Sequence, residues 1–156
     1  MTMDDTVREK IGTFKVFEGL SSDEIDAVIA CGTVVHFKGG EKIIEESAES
    51  TDLYVVLNGR VSIEMMVQNH SSPAQRAKQM AIFRIGEVFG DIAFLRGARR
   101  SASVTTIDDF SAMAFDRGKL YGLFDMNNHI GYIVVKNLAK IMSNRLMELN
   151  FMLRDY

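Results

Sequence analysis

With 156 residues, the chain is long enough for one domain with a substantial core and leaves little room for a second. Apolar residues make up 47% of it and charged residues 25%, an ordinary globular balance that excludes an intrinsically disordered chain. The formal net charge of −3 gives no electrostatic reason to expect nucleic acid or an anionic membrane as a partner. Any anionic ligand must therefore be held by a local arrangement of residues.

Sorting signals and metal-binding patterns are not found in the sequence. Residues 1–10 are polar and unlike a signal peptide, and no run of about 18 apolar residues could span a bilayer. The single Cys31 excludes an internal disulfide and fits a reducing compartment, so we expect a cytoplasmic protein. The three histidines, His36, His70 and His129, lack metal-ligand spacing. We therefore expect no metal and no cofactor.

The N-terminal segment, residues 1–31, is predicted to form short helices. Ser21 or Ser22 can cap a helix that carries Glu24 early in it. Three apolar residues follow on one helical face: Ile25, Val28 and Ile29. We expect Gly32 to occupy the stop position that follows this helix.

Residues 32–116 are predicted to form an antiparallel, jelly-roll-like β roll of about eight strands. The hydrophobic period changes to two at Thr33, and Asn58-Gly59 lies between two β-rich runs, which is typical of a hairpin turn. The polar stretch of residues 68–77, which contains Pro73, is predicted to be a loop. Many short strands without a strand-helix-strand alternation favour a roll over a parallel doubly wound sheet.

Residues 117–156 are predicted to be helical and complete a single domain, 1–156. Asp116 is expected to cap a helix over residues 117–124, and Asn127 or Asn128 to start a final helix of about 26 residues. The apolar stripe of this long C-terminal helix is too wide for one sheet face to cover. We therefore expect a homodimer through the helix. The alternative is a helix that simply lies along its own roll.

Phe89 to Ala102 is the segment whose residues suit an anionic ligand. Gly90 permits a close approach of the backbone, and Asp91 is expected to cap a short helix over residues 92–96 that Gly97 ends. The first turn of such a helix leaves backbone N–H groups without partners, which is the basis of many anion sites. The segment therefore predicts a local anion site inside the β roll.

Arg100 is the candidate cation of this segment. A guanidinium can hold two phosphate oxygens in a bidentate fork, and the N–H groups of Ser101 and Ala102 follow directly. Asp91, about nine residues earlier, could accept a hydroxyl of the same ligand. These residues together suit a phosphate ester that also carries a hydroxyl.

The run Phe89-Gly90-Asp91-Ile92-Ala93, followed by Arg100-Ser101-Ala102, resembles the phosphate-binding cassette of cyclic nucleotide-binding domains. These domains occur in bacterial catabolite activator proteins, cyclic-nucleotide-gated channels and regulatory subunits of cAMP-dependent kinase. The resemblance covers nearly all of residues 15–154. Other segments resemble the family in the same order: residues 14–20 before the roll, 37–44 at its first glycine turn and 52–61 at a hairpin.

The resemblance implies a non-catalytic sensor that binds cyclic AMP or cyclic GMP. Arg100 would neutralise the cyclic phosphate, and Asp91 would accept from the ribose 2′-hydroxyl. Ser101 does not decide which base is preferred, and the last helix would cap the base. Polar candidates on that helix are Asn144, Arg145 and Asn150, of which we select Asn150. The predicted ligand-binding residues are Phe89, Gly90, Asp91, Ile92, Ala93, Arg100, Ser101, Ala102 and Asn150.

Two positions depart from the family pattern. The family acid is normally Glu, and Asp91 is one methylene shorter, so the ribose contact is either kept by a backbone shift or lost. The glycine usually found after the strand at residues 43–44 is replaced by Ser47 or Ala48. This second departure concerns a turn rather than the ligand.

Three alternatives follow from these observations. A degenerate roll could serve as a dimerisation or protein-interaction module that binds no nucleotide. The chain could be the sensor part of a transcription regulator, which would carry a helix-turn-helix after the long helix. A cupin-type enzyme would need clustered histidines, which the sequence lacks. In each case we expect no nucleic acid or membrane bound by this chain alone, and the downstream protein partner stays unidentified.

Overall fold

The computed structural model of the chain describes residues 3–69 and 72–154. Helix α1 (Met3–Gly12), a 3₁₀ turn (Lys15–Phe17) and helix α2 (Ser22–Ile29) precede the strands. Ser21, one of the two predicted caps, is the N-cap of α2, and it forms a capping box with Glu24.

The predicted role of Gly32 is wrong. Helix α2 ends at Ile29, with Ala30 as its C-cap, and Gly32 is the first residue of strand β1. A Cβ atom at Gly32 would lie 2.8 Å from the ring of Phe115, its partner on the neighbouring strand. Close packing against an aromatic ring, rather than a helix stop, therefore requires glycine here.

Eight strands in the described part of the chain form two antiparallel four-stranded sheets. Their bounds are β1 (Gly32–Phe37), β2 (Lys42–Ile44), β3 (Leu53–Asn58), β4 (Val61–Asn69), β5 (Ser72–Phe83), β6 (Val88–Phe89), β7 (Ser103–Thr106) and β8 (Phe110–Phe115). The first sheet has the order β1-β8-β3-β6 and the second β2-β7-β4-β5. The predicted roll of about eight strands with flanking helices is confirmed.

Two local predictions within the roll are wrong. Asn58-Gly59 does not close a hairpin, because β3 and β4 lie in different sheets and the turn carries the chain from one to the other. A Cβ at Gly59, where φ is +82°, would lie 2.5 Å from the carbonyl oxygen of Asp109. Arg60 and Asp108 hold this corner through two hydrogen bonds of 2.8 and 3.0 Å.

The stretch predicted as a loop over residues 68–77 is mostly strand. Residues 68–69 belong to β4 and residues 72–77 to β5, whereas His70 and Ser71 lie outside the described residues. Pro73 is compatible with β5 because β5 is an edge strand, where the missing N–H need not bond a neighbour. The polar composition of this stretch therefore does not indicate irregular backbone in the described residues.

Two hydrophobic clusters make up the core. The larger packs the N-terminal helices and the C-terminal helices against the first sheet, and the smaller lies between the two sheets. Phe115 is fully buried in the larger cluster and stacks edge-on against Phe17. The helical layer is therefore joined to the roll by continuous apolar packing.

Helices α3 (Asp91–Arg96), α4 (Arg117–Met126) and α5 (Asn128–Arg154) complete the chain. Asp116 caps α4 through the N–H of Lys119 at 2.9 Å, as predicted. Asn137 of α5 is buried and donates to the carbonyl oxygens of Val16 and Glu18 at 3.0 and 2.9 Å. The first half of α5 is thereby fixed to the N-terminal segment, whereas its second half is largely exposed. None of the described helices is long and apolar enough to cross a membrane.

Candidate functional site

A cavity of about 450 Å³ lies between α3, the second sheet and α5. Eight of the nine predicted ligand-binding residues line it: Phe89, Gly90, Asp91, Ile92, Ala93, Arg100, Ser101 and Ala102. The ninth, Asn150, is exposed on α5 and is not among the lining residues. The two ends of the segment singled out in the sequence, residues 89–93 and 100–102, thus line the same cavity. The role of Asn150 stays a prediction.

Gly90 sets the geometry of that wall. It is the N-cap of α3 and has φ +75°, in the left-handed region that favours glycine. A Cβ there would lie 2.5 Å from Nη1 of Arg100 and 2.8 Å from the carbonyl oxygen of Asp52. Asp91 is therefore the first residue of the helix rather than its cap, which corrects the prediction. Gly97 ends α3 in the left-handed conformation, as predicted.

Arg100 is buried beneath this wall, with 4% of its surface exposed. Its Nε donates to Oγ of Ser50 at 3.1 Å, Nη1 to the carbonyl oxygen of Gly90 at 3.0 Å, and Nη2 to that of Asp52 at 2.8 Å. A guanidinium has five N–H donors, so two remain for a further acceptor. Because Arg100 lines the cavity, an anion bound there has a fixed cation beside it.

The charge of Arg100 is not neutralised by a neighbouring side chain. None of the ion pairs among the described residues includes it. Burial lowers the pKa of its guanidinium from the ordinary value, while the nearby acidic groups of Tyr54, Asp52 and Asp91 act in the opposite direction. A buried cation without a direct carboxylate partner is stabilised by an incoming anion.

The loop between β2 and β3 forms hydrogen bonds with the cassette. The N–H of Ser47 donates to the carbonyl oxygen of Arg100 at 2.9 Å, and the N–H of Arg100 donates to that of Ala48 at 2.8 Å. Exposed Arg99 bonds the carbonyl oxygen of Ser47 and the carboxylate of Glu49. Arg99 therefore contributes to the loop, whereas its neighbour Arg100 lines the cavity.

The N–H groups of Ser101 and Ala102 are further polar donors of the cassette. Across the described ranges, no acceptor is bonded to either group. Both residues line the cavity immediately after Arg100. The arrangement offers a guanidinium and two backbone donors to one anionic group, which suits a phosphate.

Asp91 faces the cavity and Arg145 of α5. Its Oδ2 accepts from Nη1 of Arg145 at 3.5 Å, and Nη2 of Arg145 donates to the carbonyl oxygen of Val88 at 2.6 Å. The Arg145 guanidinium also lies 4.1 Å from the ring centre of Phe83. Arg145 therefore connects the last helix to the cassette and to the second sheet, a role that the sequence did not reveal.

The opposite wall of the cavity is mainly apolar. The second sheet contributes Ile44, Ile63, Met65, Met80, Ala81, Phe83 and Val104, and α5 contributes Met142, Leu146, Leu149 and Met152 together with Arg145 and Glu148. Sequence reasoning missed the sheet residues. The alternation of polar and apolar residues along β4 was the available signal. It does not tell which face of the strand lines the cavity, because that depends on the pairing of β4 with β5 and β7.

No group of three or more His, Cys, Asp or Glu side chains suitable for a metal ion occurs within the described ranges. The polar groups at the cavity are instead those of the cassette, Arg145 and Glu148. The chemistry offered by this site is the binding of an anionic group next to an apolar surface.

The sequence model of the cyclic nucleotide-binding domain family matches residues 34–127, more than half of the chain. The chain therefore belongs to the cyclic nucleotide-binding domain family. This match includes the whole cassette and all of the cavity-lining residues of the second sheet.

Individual relatives agree with this assignment. The chain is 24% identical to cGMP-dependent protein kinase 2 of Mus musculus, an alignment that covers 86% of the chain and 18% of the kinase. It is also 24% identical to the CRP-like cAMP-activated global transcriptional regulator of Mycobacterium tuberculosis, over 90% of the chain and 58% of the regulator. The chain thus spans about a fifth of the first relative and just over half of the second.

A solved structure shows the same fold. The cyclic nucleotide-binding domain from Methylobacillus flagellatus superimposes with a TM-score of 0.85 at 20% identity, over 97% of this chain and 85% of that one. The two antiparallel sheets, the flanking helices and the long last helix are therefore those of the family fold.

Proposed function

We propose that the chain is a non-catalytic sensor that reversibly binds cyclic AMP or cyclic GMP in the cavity beneath α5. The observation that carries this proposal is Arg100, a buried cation that lines the cavity without an ion-pair partner among the described residues. The proposal needs no cofactor besides the nucleotide. We infer a cytoplasmic location from the single cysteine.

The cyclic phosphate would occupy the polar end of the cavity. Two N–H donors of Arg100 are free of described acceptors, as are the backbone N–H groups of Ser101 and Ala102. A bidentate contact with the guanidinium would both bind the anion and compensate the buried charge. This combination suits a phosphodiester that enters without a metal ion.

The ribose would lie next to Asp91. A carboxylate accepts several hydrogen bonds, so Asp91 can accept from a ribose hydroxyl and still contact Arg145. The hydrogen bond from Arg145 Nη1 to Asp91 Oδ2 is long, at 3.5 Å. The shorter side chain of Asp91 is therefore compatible with a ribose contact.

The base would lie against the apolar wall between the second sheet and α5. Phe83, Met65 and Leu149 are among the side chains that would contact its faces. The proposal leaves open whether adenine or guanine is preferred, since both are flat and of similar size. Nucleotide binding would move α4 and α5 against the roll, because phosphate and base are held by different elements.

A second copy of the chain is the proposed partner of α5. Exposed apolar residues of the helix, together with half-buried Met142, follow heptad spacing in the series Val135, Met142, Leu149 and in the series Leu146, Leu153. Such a stripe on one long helix fits a coiled coil between two copies. The chain covers only part of the relatives named above, so it is also compatible with being the sensor of a longer transcription regulator.

Paired arginine variants test the proposal. Arg100→Ala is expected to weaken binding of the cyclic nucleotide about tenfold to a thousandfold, as loss of a charge-assisted fork of roughly 1.5–4 kcal/mol predicts. Arg99→Ala removes the same charge one residue away, from an exposed side chain, and should bind like the native protein. Calorimetric titration of each protein, with thermal unfolding to verify folding, provides the comparison.

Equal binding by the native protein and folded Arg100→Ala would overturn the proposed phosphate contact. Binding by neither protein would favour the alternative of a roll that serves only as an interaction module. Arg100→Lys separates charge from geometry, because lysine keeps the cation but lacks the planar fork. We expect its affinity to lie between those of the native protein and Arg100→Ala.

A further inference from the structure

Methionines are concentrated around the cavity. Met65 of β4 and Met80 of β5 line it from the second sheet, and Met142 and Met152 line it from α5. Met65 and Met80 are 38% and 47% exposed. Their thioethers are therefore reachable by small solutes while they also form part of the apolar wall.

The positions of these two residues on the sheet are well defined. Met65 pairs with Lys78 in the β4–β5 ladder, and Met80 lies at the register shift between Ile63 and Glu64. Both residues line the cavity, Met65 from β4 and Met80 from β5.

We propose that Met65 and Met80 form an oxidation site through which a hydroperoxide lowers the affinity of the cavity for its nucleotide. The proposal rests on the proposed function. In the reaction the thioether sulfur attacks one peroxide oxygen, the O–O bond breaks, and the sulfur is oxidised by two electrons to a sulfoxide. With hydrogen peroxide the other oxygen leaves as water.

The sulfoxide changes the cavity wall in one respect. A flexible apolar side chain becomes polar and carries a strong hydrogen-bond acceptor. Placed against the face of a purine, that group loses hydration without gaining a partner. Bound nucleotide would in turn cover both sulfur atoms and slow their oxidation.

Neighbouring methionines supply matched controls. Met66 is 48% exposed but does not line the cavity, although it follows Met65 in the same strand. Met126 is almost fully exposed at the end of α4, and Met113 is buried in the core. Shielding by a ligand should therefore distinguish Met65 and Met80 from Met66 and Met126, while Met113 stays protected throughout.

The first experiment measures oxidation of the full chain by hydrogen peroxide, with peptide mass spectrometry over time. We expect saturating cyclic AMP or cyclic GMP to slow oxidation of Met65 and Met80 at least threefold and to leave Met66 and Met126 unchanged. Equal protection of Met66, or no protection of Met65 and Met80, would overturn the inference.

The second experiment measures nucleotide affinity before and after peroxide treatment, in the native chain and in Met65→Leu/Met80→Leu. We expect oxidation to weaken binding by the native chain about fivefold to a hundredfold, and binding by the leucine variant less than twofold. An equal loss in both proteins would assign the effect to other methionines and overturn the inference. Absence of binding before oxidation would overturn the proposed function and this inference with it, whereas unchanged binding after oxidation would overturn the inference alone.

Discussion

Adjacent residues of the cassette have different roles that their identities do not reveal. Arg99 and Arg100 are neighbours of the same type, yet Arg99 is exposed and bonds the β2–β3 loop, whereas Arg100 is buried at the cavity. The resemblance to a known motif was needed to select Arg100, because charge and spacing alone fit either residue. The partners of Arg100 in residues 50–52 lie far away in sequence and follow only from the fold.

Ser47 is a residue in a conformation that suits glycine. Its φ of +70° is the only positive value among the described non-glycine residues. The sequence suggested that either Ser47 or Ala48 replaces a family glycine, and the backbone identifies Ser47. Both hydrogen bonds that join Ser47 to the cassette use its backbone atoms, so a substitution changes the strain without removing them.

Substitution of Ser47 should therefore affect the free energy of unfolding in a defined order. The left-handed conformation costs a residue with a Cβ about 1 kcal/mol, so Ser47→Gly should be more stable than Ser47→Ala by about that amount. Ala48→Gly, at a position without positive φ, should instead destabilise by about 0.5–1 kcal/mol. Urea denaturation of the three variants measures this, and equal stability of the two Ser47 variants would contradict it.

At the level of secondary-structure elements, local sequence signals predicted the capping residues of helices better than the pairing of strands. The capping residues Ser21 and Asp116 were predicted because a cap needs only neighbours within one turn. The Asn58-Gly59 turn was misassigned because its dipeptide specifies a tight turn but not whether the next strand stays in the same sheet. The strand structure within residues 68–77 was mispredicted as a loop for a related reason, since a strand rich in polar residues resembles a loop in composition.

The junction between α2 and α5 provides a pH-dependent prediction. Hydrogen bonds from the backbone of Ser21 and from His129 lower the pKa of the Glu24 carboxyl. The distance between His129 Nδ1 and Glu24 Oε2 is 2.6 Å. A carboxyl whose pKa is lowered on folding contributes stability above its unfolded pKa, and that contribution is lost as pH falls through the folded pKa.

Glu24→Gln should therefore be less stable than the native protein at pH 7, with a difference that shrinks as the pH falls below about 4.3. Glutamine keeps the capping geometry, so the substitution mainly removes the titrating charge. Urea denaturation between pH 7 and pH 3 measures the difference. Asp23→Asn removes a charge from the same helical turn and serves as the control. A difference for Glu24→Gln that does not change with pH would contradict the expectation.

At the scale of the whole molecule, the layer order and the family could be predicted from the sequence, and the cavity could be predicted in part. The cassette wall lies in one short segment, so its residues were identified together. The apolar wall combines β4, β5 and α5, which are far apart in the chain and meet only in the folded structure. Arg145 was named only as one polar candidate on the last helix, because its contacts with Asp91 and Val88 depend on where α5 crosses the roll.

The exposed stripe of α5 predicts the assembly state. Val135 and Leu153 belong to the stripe and do not line the cavity, so substitutions there spare the nucleotide site. We expect the native protein to sediment at twice the 17.5 kDa chain mass and Val135→Glu/Leu153→Glu to sediment as a monomer. Met126→Glu, at an exposed apolar residue outside α5, should stay dimeric. A native protein that is monomeric at the highest soluble concentration would contradict the expectation.

The most direct measurement of the central claim is calorimetric titration of protein freed of co-purified nucleotide with cyclic AMP and cyclic GMP. Adenosine and guanosine, which carry the bases and riboses without phosphate, are the reference ligands. We expect micromolar or tighter binding of at least one cyclic nucleotide and at least tenfold weaker binding of its nucleoside, because in the proposed complex Arg100 and the N–H groups of Ser101 and Ala102 would contact only the phosphate. No heat with either cyclic nucleotide, or equal affinity for the nucleoside, would contradict the claim that this cavity is a phosphate-dependent nucleotide site.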